Sequence, residues 1–186
     1  MKPKQKVYAF IDSQNLNLSI KGDIFRKGKP IYKGWRLDFQ RFRKHLTDKY
    51  KVDKCFLFIG LVPTNAMLYA NLQKYGYHLV FKPTLVHKEK DKEIVKGNVD
   101  AELVLHTMIE FQNFDKAIIV SGDGDFKCLH DYLNENDKLG RILIPNEKSF
   151  SSLLWDYRNK MDFINRLKSK LELKEKKRGV ALSTGT

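Results

Sequence analysis

Four aspartates stand where a folded chain can bring them together. Asp123 and Asp125 are separated by a single glycine in Ser121–Phe126, SGDGDF, directly after the apolar run Ala117–Val120. Asp12 closes the apolar run Val7–Ile11, and Asp100 opens a stretch with helical spacing of apolar residues. Carboxylates that share a pocket repel one another unless a cation neutralises them, and hard oxygen donors around open water positions suit Mg2+ or Mn2+. Such an ion polarises a phosphoryl oxygen, generates or orients hydroxide and stabilises a leaving oxygen, which is what hydrolysis of a phosphodiester requires. Asn15, one helical turn beyond Asp12, could orient a water or a phosphate. The alternative is plain helix capping, in which the same residues satisfy the first amides of the helices that follow them.

The elements that must position these acids alternate along the chain. Strands are expected at Val7–Ile11, Lys54–Leu61, Tyr77–Phe81, Ala117–Val120 and Arg141–Ile144, each an apolar run of the kind found in parallel strands covered on both faces. Between them, apolar residues recur at three and four. Phe39, Phe42, Leu46 and Tyr50 follow a capping Asp38; Leu68, Leu72 and Tyr75 follow Pro63 and precede Gly76. Helical spacing resumes at about Val99, with Val104 and Met108 on one face and Ala101, Leu105 and Ile109 on its neighbour. It returns with Phe126, Leu129, Tyr132 and Leu133, and again after Ser149 with Ile164, Leu167 and Leu171. Two stretches have no sustained period. Residues 21–36 hold three glycines, a proline and six basic residues and read as a mobile basic loop, while residues 82–96 mix lysines with acids and read as a solvated loop or flap. The expected fold is α/β: a sheet of about five mostly parallel strands with helices on both faces. Right-handed crossovers then place Asp12, Asp100, Asp123 and Asp125 along one sheet edge, where open α/β sheets bind ligands.

The chain carries 35 Lys plus Arg against 22 Asp plus Glu, a formal net charge of +13, spread along its 186 residues. Such a field favours a polyanionic partner. The nucleic-acid contacts expected are Arg26, Lys27, Lys33 and Arg36 in the basic loop and Lys96 ahead of the acidic helix. Phe25, Tyr32 and Trp35 could stack on bases or could equally fasten the loop to the core. With 42% hydrophobic residues the length suits one domain, over residues 1–172, followed by a basic and disordered tail over 173–186. Cys55 and Cys128 lie far apart with no metal-binding spacing, in keeping with a reducing cytoplasm. The N-terminus lacks the apolar stretch of a secretory signal and no run reaches the ~18 residues of a membrane span, so neither export nor membrane insertion is expected.

The assembled pattern resembles the NYN domain family of the PIN-like nucleases, in its LabA-like branch. The matching stretches are FIDSQNL at Phe10–Leu16, KGNVDAELVLHTM at Lys96–Met108 and SGDGDF, with weaker matches at LFIG (Leu57–Gly60) and DFI (Asp162–Ile164). The resemblance implies a PIN-like three-layer sandwich and a metal-dependent RNA endonuclease that leaves a 5′-phosphate and acts on single-stranded or looped RNA. It places Asp12, Asn15, Asp100, Asp123 and Asp125 in the catalytic site, the four aspartates as ligands of Mg2+ or Mn2+. One departure is His106, where many family members carry an acid; on an ideal helix it lies about 240° around from Asp100 and need not face the same ion. A rival reading is a non-catalytic RNA-binding or regulatory module. A third, a phosphatase, lacks the second aspartate two residues after Asp12 that an aspartyl-phosphate enzyme would show; Gln14 stands there.

Overall fold

The structure, a computed structural model, describes residues 4–83, 85–89, 92–96 and 100–174. In chain order it comprises β1 (Val7–Asp12), α1 (Ser13–Lys21), β2 (Ile24–Arg26), β3 (Lys29–Tyr32), α2 (Phe39–Tyr50), β4 (Val52–Leu61), α3 (Ala66–Lys74) and β5 (His78–Pro83). There follow β6 (Leu85–Glu89), β7 (Lys92–Lys96), α4 (Asp100–Ile109), β8 (Lys116–Val120), α5 (Lys127–Glu135), β9 (Leu139–Ile144), β10 (Met161–Phe163) and α6 (Lys168–Leu171). The main sheet has the order β10-β9-β8-β1-β4-β5, and every pairing in it is parallel. From β1 the chain moves outward through β4 and β5, then returns to the other side of β1 and moves outward again through β8, β9 and β10. The direction of winding therefore reverses between β1 and β8. At such a reversal neighbouring connections leave to opposite faces and open a crevice at the carboxyl ends of the strands.

Each central strand feeds two cores, because successive side chains point to opposite faces. On one face Val7, Ala9 and Ile11 of β1 pack with Cys55 and Leu57 of β4 against Leu16, Phe42, Leu46 and Leu171 of the helices α1, α2 and α6. On the other, Tyr8 and Phe10 pack with Phe56 and Phe58 against Leu103 of α4 and Leu129 and Leu133 of α5. Helices on both faces of a parallel sheet make the three-layer α/β sandwich expected from the uniformly apolar strands. Burial pushes the Cys55 thiol up to about 12, so it behaves as a small core hydrophobe.

Several local expectations are corrected. The sheet has six strands rather than five: Met161–Phe163, in a stretch expected to be helical, is β10, flanked by 3-10 turns at Ser152–Lys160 and Ile164–Leu167. Three residues are too few to show a period in the sequence. Residues 21–36 contain the hairpin β2–β3, turned at Lys27 and Gly28, both with positive φ as a two-residue hairpin turn demands. The stretch read as a flap forms a second hairpin, β6–β7. On α3 Leu72 is buried together with Tyr69, while Leu68 is exposed and lines a groove with Leu72 and Tyr75. On α4 it is Leu103 and Thr107 that are buried, whereas Leu105 and Ile109 face out; a run apolar on all sides does not itself mark its inner face.

Of the three aromatics of the basic loop, two serve as anchors. Trp35 is buried and its backbone N–H donates to the Ile20 carbonyl at 3.1 Å, while the Tyr32 hydroxyl donates to the same oxygen at 2.8 Å. Phe25 stays 61% exposed. The chain's later end is also fastened: the Leu173 N–H donates to the Arg36 carbonyl at 2.8 Å. The tail expected to be disordered falls, over 175–186, outside the described residues. No helix of the described residues is long and apolar enough to cross a membrane.

Two stability outcomes follow from this packing. A methyl group at Gly34 would lie 1.9 Å from the Lys21 carbonyl oxygen, so Gly34→Ala must push the loop off the end of α1. Urea unfolding should show a loss of about 1–3 kcal/mol, as for other forced overpacking. The second concerns His130, fully buried on α5 with both ring nitrogens unpartnered among the described residues and its ring 5.7 Å from that of Tyr157. Burial lowers its pKa from 6.5 to about 4, against the pull of Asp131. The folded state thus takes up its proton later than the unfolded state, and stability is lost as pH falls from 6.5 to about 4. The loss amounts to about 3 kcal/mol over that window. Unfolding free energies measured across it should fall more steeply for wild type than for His130→Leu; parallel pH profiles would remove His130 from the acid limb.

Candidate active site

The crevice is built outward from Asp12, the last residue of β1 and 4% exposed. One carboxylate oxygen accepts the Asn15 backbone N–H at 2.9 Å, the N-cap of α1; the other accepts the Ser121 hydroxyl at 3.2 Å from the end of β8. Asn15 returns the connection, its side-chain oxygen accepting the Gly122 N–H at 2.9 Å. Burial raises the Asp12 pKa most, and the charge of Asp100 adds to it, opposed by the hydrogen bonds from Asn15, Ser121 and Gln14. Asp12 is therefore a helix cap and also a buried carboxylate that feels a second acid.

The turn after β8 is shaped by its own side chains. Ser121 Oγ accepts the Asp123 N–H at 3.2 Å, and Asp123 caps the 3-10 turn Gly124–Phe126 by accepting the Asp125 N–H at 3.0 Å. Gly124 lets the turn lie flat on the following segment: a Cβ there would sit 2.3 Å from Ser151 Oγ. Ser151 in turn donates its N–H to the Gly122 carbonyl at 2.9 Å. Into this frame α4 delivers Asp100, its first residue.

One carboxylate oxygen from each of Asp100, Asp123 and Asp125 lies within 4.8 Å of the others, with Asp100 and Asp123 half-buried and Asp125 exposed. An ion held at about 2.1 Å from each oxygen can bridge such a set after small side-chain rotations. Three hard donors, one open to solvent, fit a divalent cation that retains water. Asp12 stands outside this trio, with both oxygens engaged, though close enough for Asp100 to affect its titration. His106 turns away, its ring packed 5.7 Å from Phe58 and 6.2 Å from Phe56. Glu102, the next acid of α4, pairs with Lys82 at 3.1 Å.

The basic residues named from the sequence are solvent-facing where they are described. Arg26 and Lys27 lie at the exposed tip of the β2–β3 hairpin, and Lys33 and Arg36 are exposed beyond it. Lys96 ends β7, and its side chain lies outside the described residues. Sequence reasoning passed over Ser121 and Ser151, which hold the acidic turn. A serine between a strand end and an aspartate is the available signal for the first. The second sits 26 residues beyond Asp125 and carries none.

Comparison with known proteins agrees with this architecture. The chain aligns over 88% of its length with the crystal structure of VPA0982, a protein of unknown function from Vibrio parahaemolyticus, covering 95% of that chain with a TM-score of 0.66 at 21% identity. At that identity the likeness speaks for the fold. Among curated proteins none matches. The NYN domain matches residues 6–165, which contain all four aspartates and Asn15. By that match over most of its length, the chain belongs to the NYN domain family.

Proposed function

We propose that this protein is a metal-dependent endoribonuclease of the LabA-like branch, acting on single-stranded or looped RNA in the cytoplasm. The observation that carries the reading is the trio Asp100, Asp123 and Asp125 at the winding reversal of an NYN domain. Asp100, Asp123 and Asp125 would hold Mg2+ or Mn2+. When bound, the ion supplies Lewis acidity toward a phosphoryl oxygen and lowers the pKa of a water. The protein's own part is placement. Asp12 and Asn15 lock the ends of β1 and β8 together, Ser121 and Ser151 fix the acidic turn, and the exposed basic residues would draw in the phosphate backbone. A second reading, an RNA-binding module without turnover, is favoured by one feature: Asp12 and Asp123 both act as caps.

Cleavage separates the two readings. Labelled RNAs and DNAs incubated with Mg2+, Mn2+ or chelator should yield RNA products with 5′-phosphate ends only when metal is present. Asp123→Asn should lower the rate by more than about a hundredfold, the upper range for losing merely an outer partner of a metal ligand. Wild-type protein that binds RNA yet gives no products beyond this variant would establish the binding module instead.

The trio also has a thermodynamic signature. Two unit charges ~4.8 Å apart repel by about 1 kcal/mol in water and about 3 kcal/mol at an effective dielectric near 20. Neutralising one by Asp100→Asn or Asp123→Asn should leave the metal-free protein as stable as wild type or more so, while shrinking the rise in melting temperature produced by Mn2+. Capping predicts the opposite for alanine variants, a loss of ~0.5–2 kcal/mol with or without metal. Melting curves for Asn and Ala variants in chelator and in Mn2+ decide. An undiminished Mn2+ response in all of them would remove the trio as its binding site.

A further inference from the structure

A groove of about 570 Å³ opens beside the acidic crevice, its near end formed by Ser13 and Gln14, the two residues that follow Asp12. This lies within the range of roughly 300–1,000 Å³ typical of ligand sites. It runs between α1 and α3 over the carboxyl end of β4, where Ile59 and Gly60 meet Leu72, and its rim carries Lys21 and Arg36. The composition of its walls is uneven. Gln14 and Asn17 project from α1, and Asn65 and Asn71 face them from α3 and the turn before it. Gln14, Asn17 and Asn71 are exposed, and Asn65 stands at the N-cap of α3 without spending its side chain on the cap. These amides contrast with Asn15 and Asn146, whose side chains hold the fold together.

The acid in the groove, Asp38, is already engaged. It accepts the Arg41 N–H at 3.0 Å and lies 3.4 Å from the Arg41 guanidinium. The groove therefore offers paired donors and acceptors, an apolar floor with half-buried Phe39 and Tyr75, and two cations at the rim. A side-chain amide presents a donor and an acceptor side by side, which matches the edge of a nucleobase. Apolar and aromatic surface takes the base face, and Lys or Arg takes phosphate. Bases in an A-form duplex keep their pairing edges occupied, so such a site selects unpaired nucleotides.

We propose that this amide-lined groove is the base-reading subsite for single-stranded RNA threaded past the acidic trio. The inference rests on the reading of that trio as the place of RNA cleavage, because the groove begins at the two residues after Asp12, whose carboxylate feels the charge of Asp100. Gln14, Asn17, Asn65 and Asn71 set which base is held, and Lys21 and Arg36 set how tightly the backbone is held.

Binding measured in chelator keeps this apart from catalysis. Fluorescence anisotropy with labelled hexanucleotides of A, U and C should show affinities that differ by base. Asn17→Ala and Asn71→Ala, both exposed and checked by melting curves, should each shrink that spread by about fivefold or more, the lower end of what one bidentate amide–base pair discriminates. Gln14→Ala gives an independent third variant on the near wall. Arg36→Ala should weaken all three oligonucleotides alike and reduce the salt slope by about 0.7, the value for one single-strand phosphate. Equal binding of the three oligonucleotides by wild type, no binding of any, or an unchanged spread in all three amide variants would overturn the proposal, even if metal-dependent cleavage is found. Amide variants that alter the base spread in a protein that never cleaves would keep the groove and sink the nuclease.

Discussion

A carboxylate removed from water must be compensated, and Asp12 meets that demand at the centre of the sheet. Its two oxygens are satisfied from two different elements, the start of α1 and the end of β8, so the burial of one charge ties the first strand to a strand more than 100 residues later. Buried polar groups without partners are costly, and that cost is what makes the connection specific. The exchange between Asn15 and Gly122 doubles it. With β1 and β8 held in register at their carboxyl ends, the acidic turn after β8 has one place to go, and α4 brings Asp100 to it.

The cores explain why this junction is rigid. Central strands buried on both sides supply Phe10 and Phe56, stacked with centroids 5.4 Å apart, to one layer and Ile11 and Leu57 to the other. Neither layer can shift without disturbing its opposite across the sheet, since interiors are packed as densely as organic crystals. The acids thus stand near one another on a frame packed from both faces of the sheet.

Charge is divided by position on this molecule. The overall excess of cations lies along loops and helix surfaces, including the β2–β3 hairpin, whereas the carboxylates of the crevice meet at the reversal of winding. Under the proposed function, the general field would draw a polyanion towards the crevice in which Asp100, Asp123 and Asp125 meet. The groove that begins at Ser13 and Gln14 is lined by four side-chain amides, with Lys21 and Arg36 among its charged residues.

The order of the elements, the parallel sheet with helices on both faces and the siting of Asp12, Asp100, Asp123 and Asp125 near strand ends were legible in the sequence. Each rests on local pattern: an apolar run long enough to cross a covered sheet, a helical repeat between runs, an acid at a boundary. Tertiary structure decided what local pattern cannot carry. It made Met161–Phe163 a sixth strand, because a parallel edge position beside β9 supplied hydrogen bonds that a three-residue segment does not advertise. It turned Trp35 inward and left Phe25 outside, a difference of position rather than of residue type. It brought oxygens of Asp100, Asp123 and Asp125 within 4.8 Å of one another and set Asp12 between α1 and β8, a grouping by distance that no local pattern carries. Sequence determined which acids stand at element boundaries; only the folded chain determined which of their oxygens come near one another, because that distance is set by elements far apart in sequence.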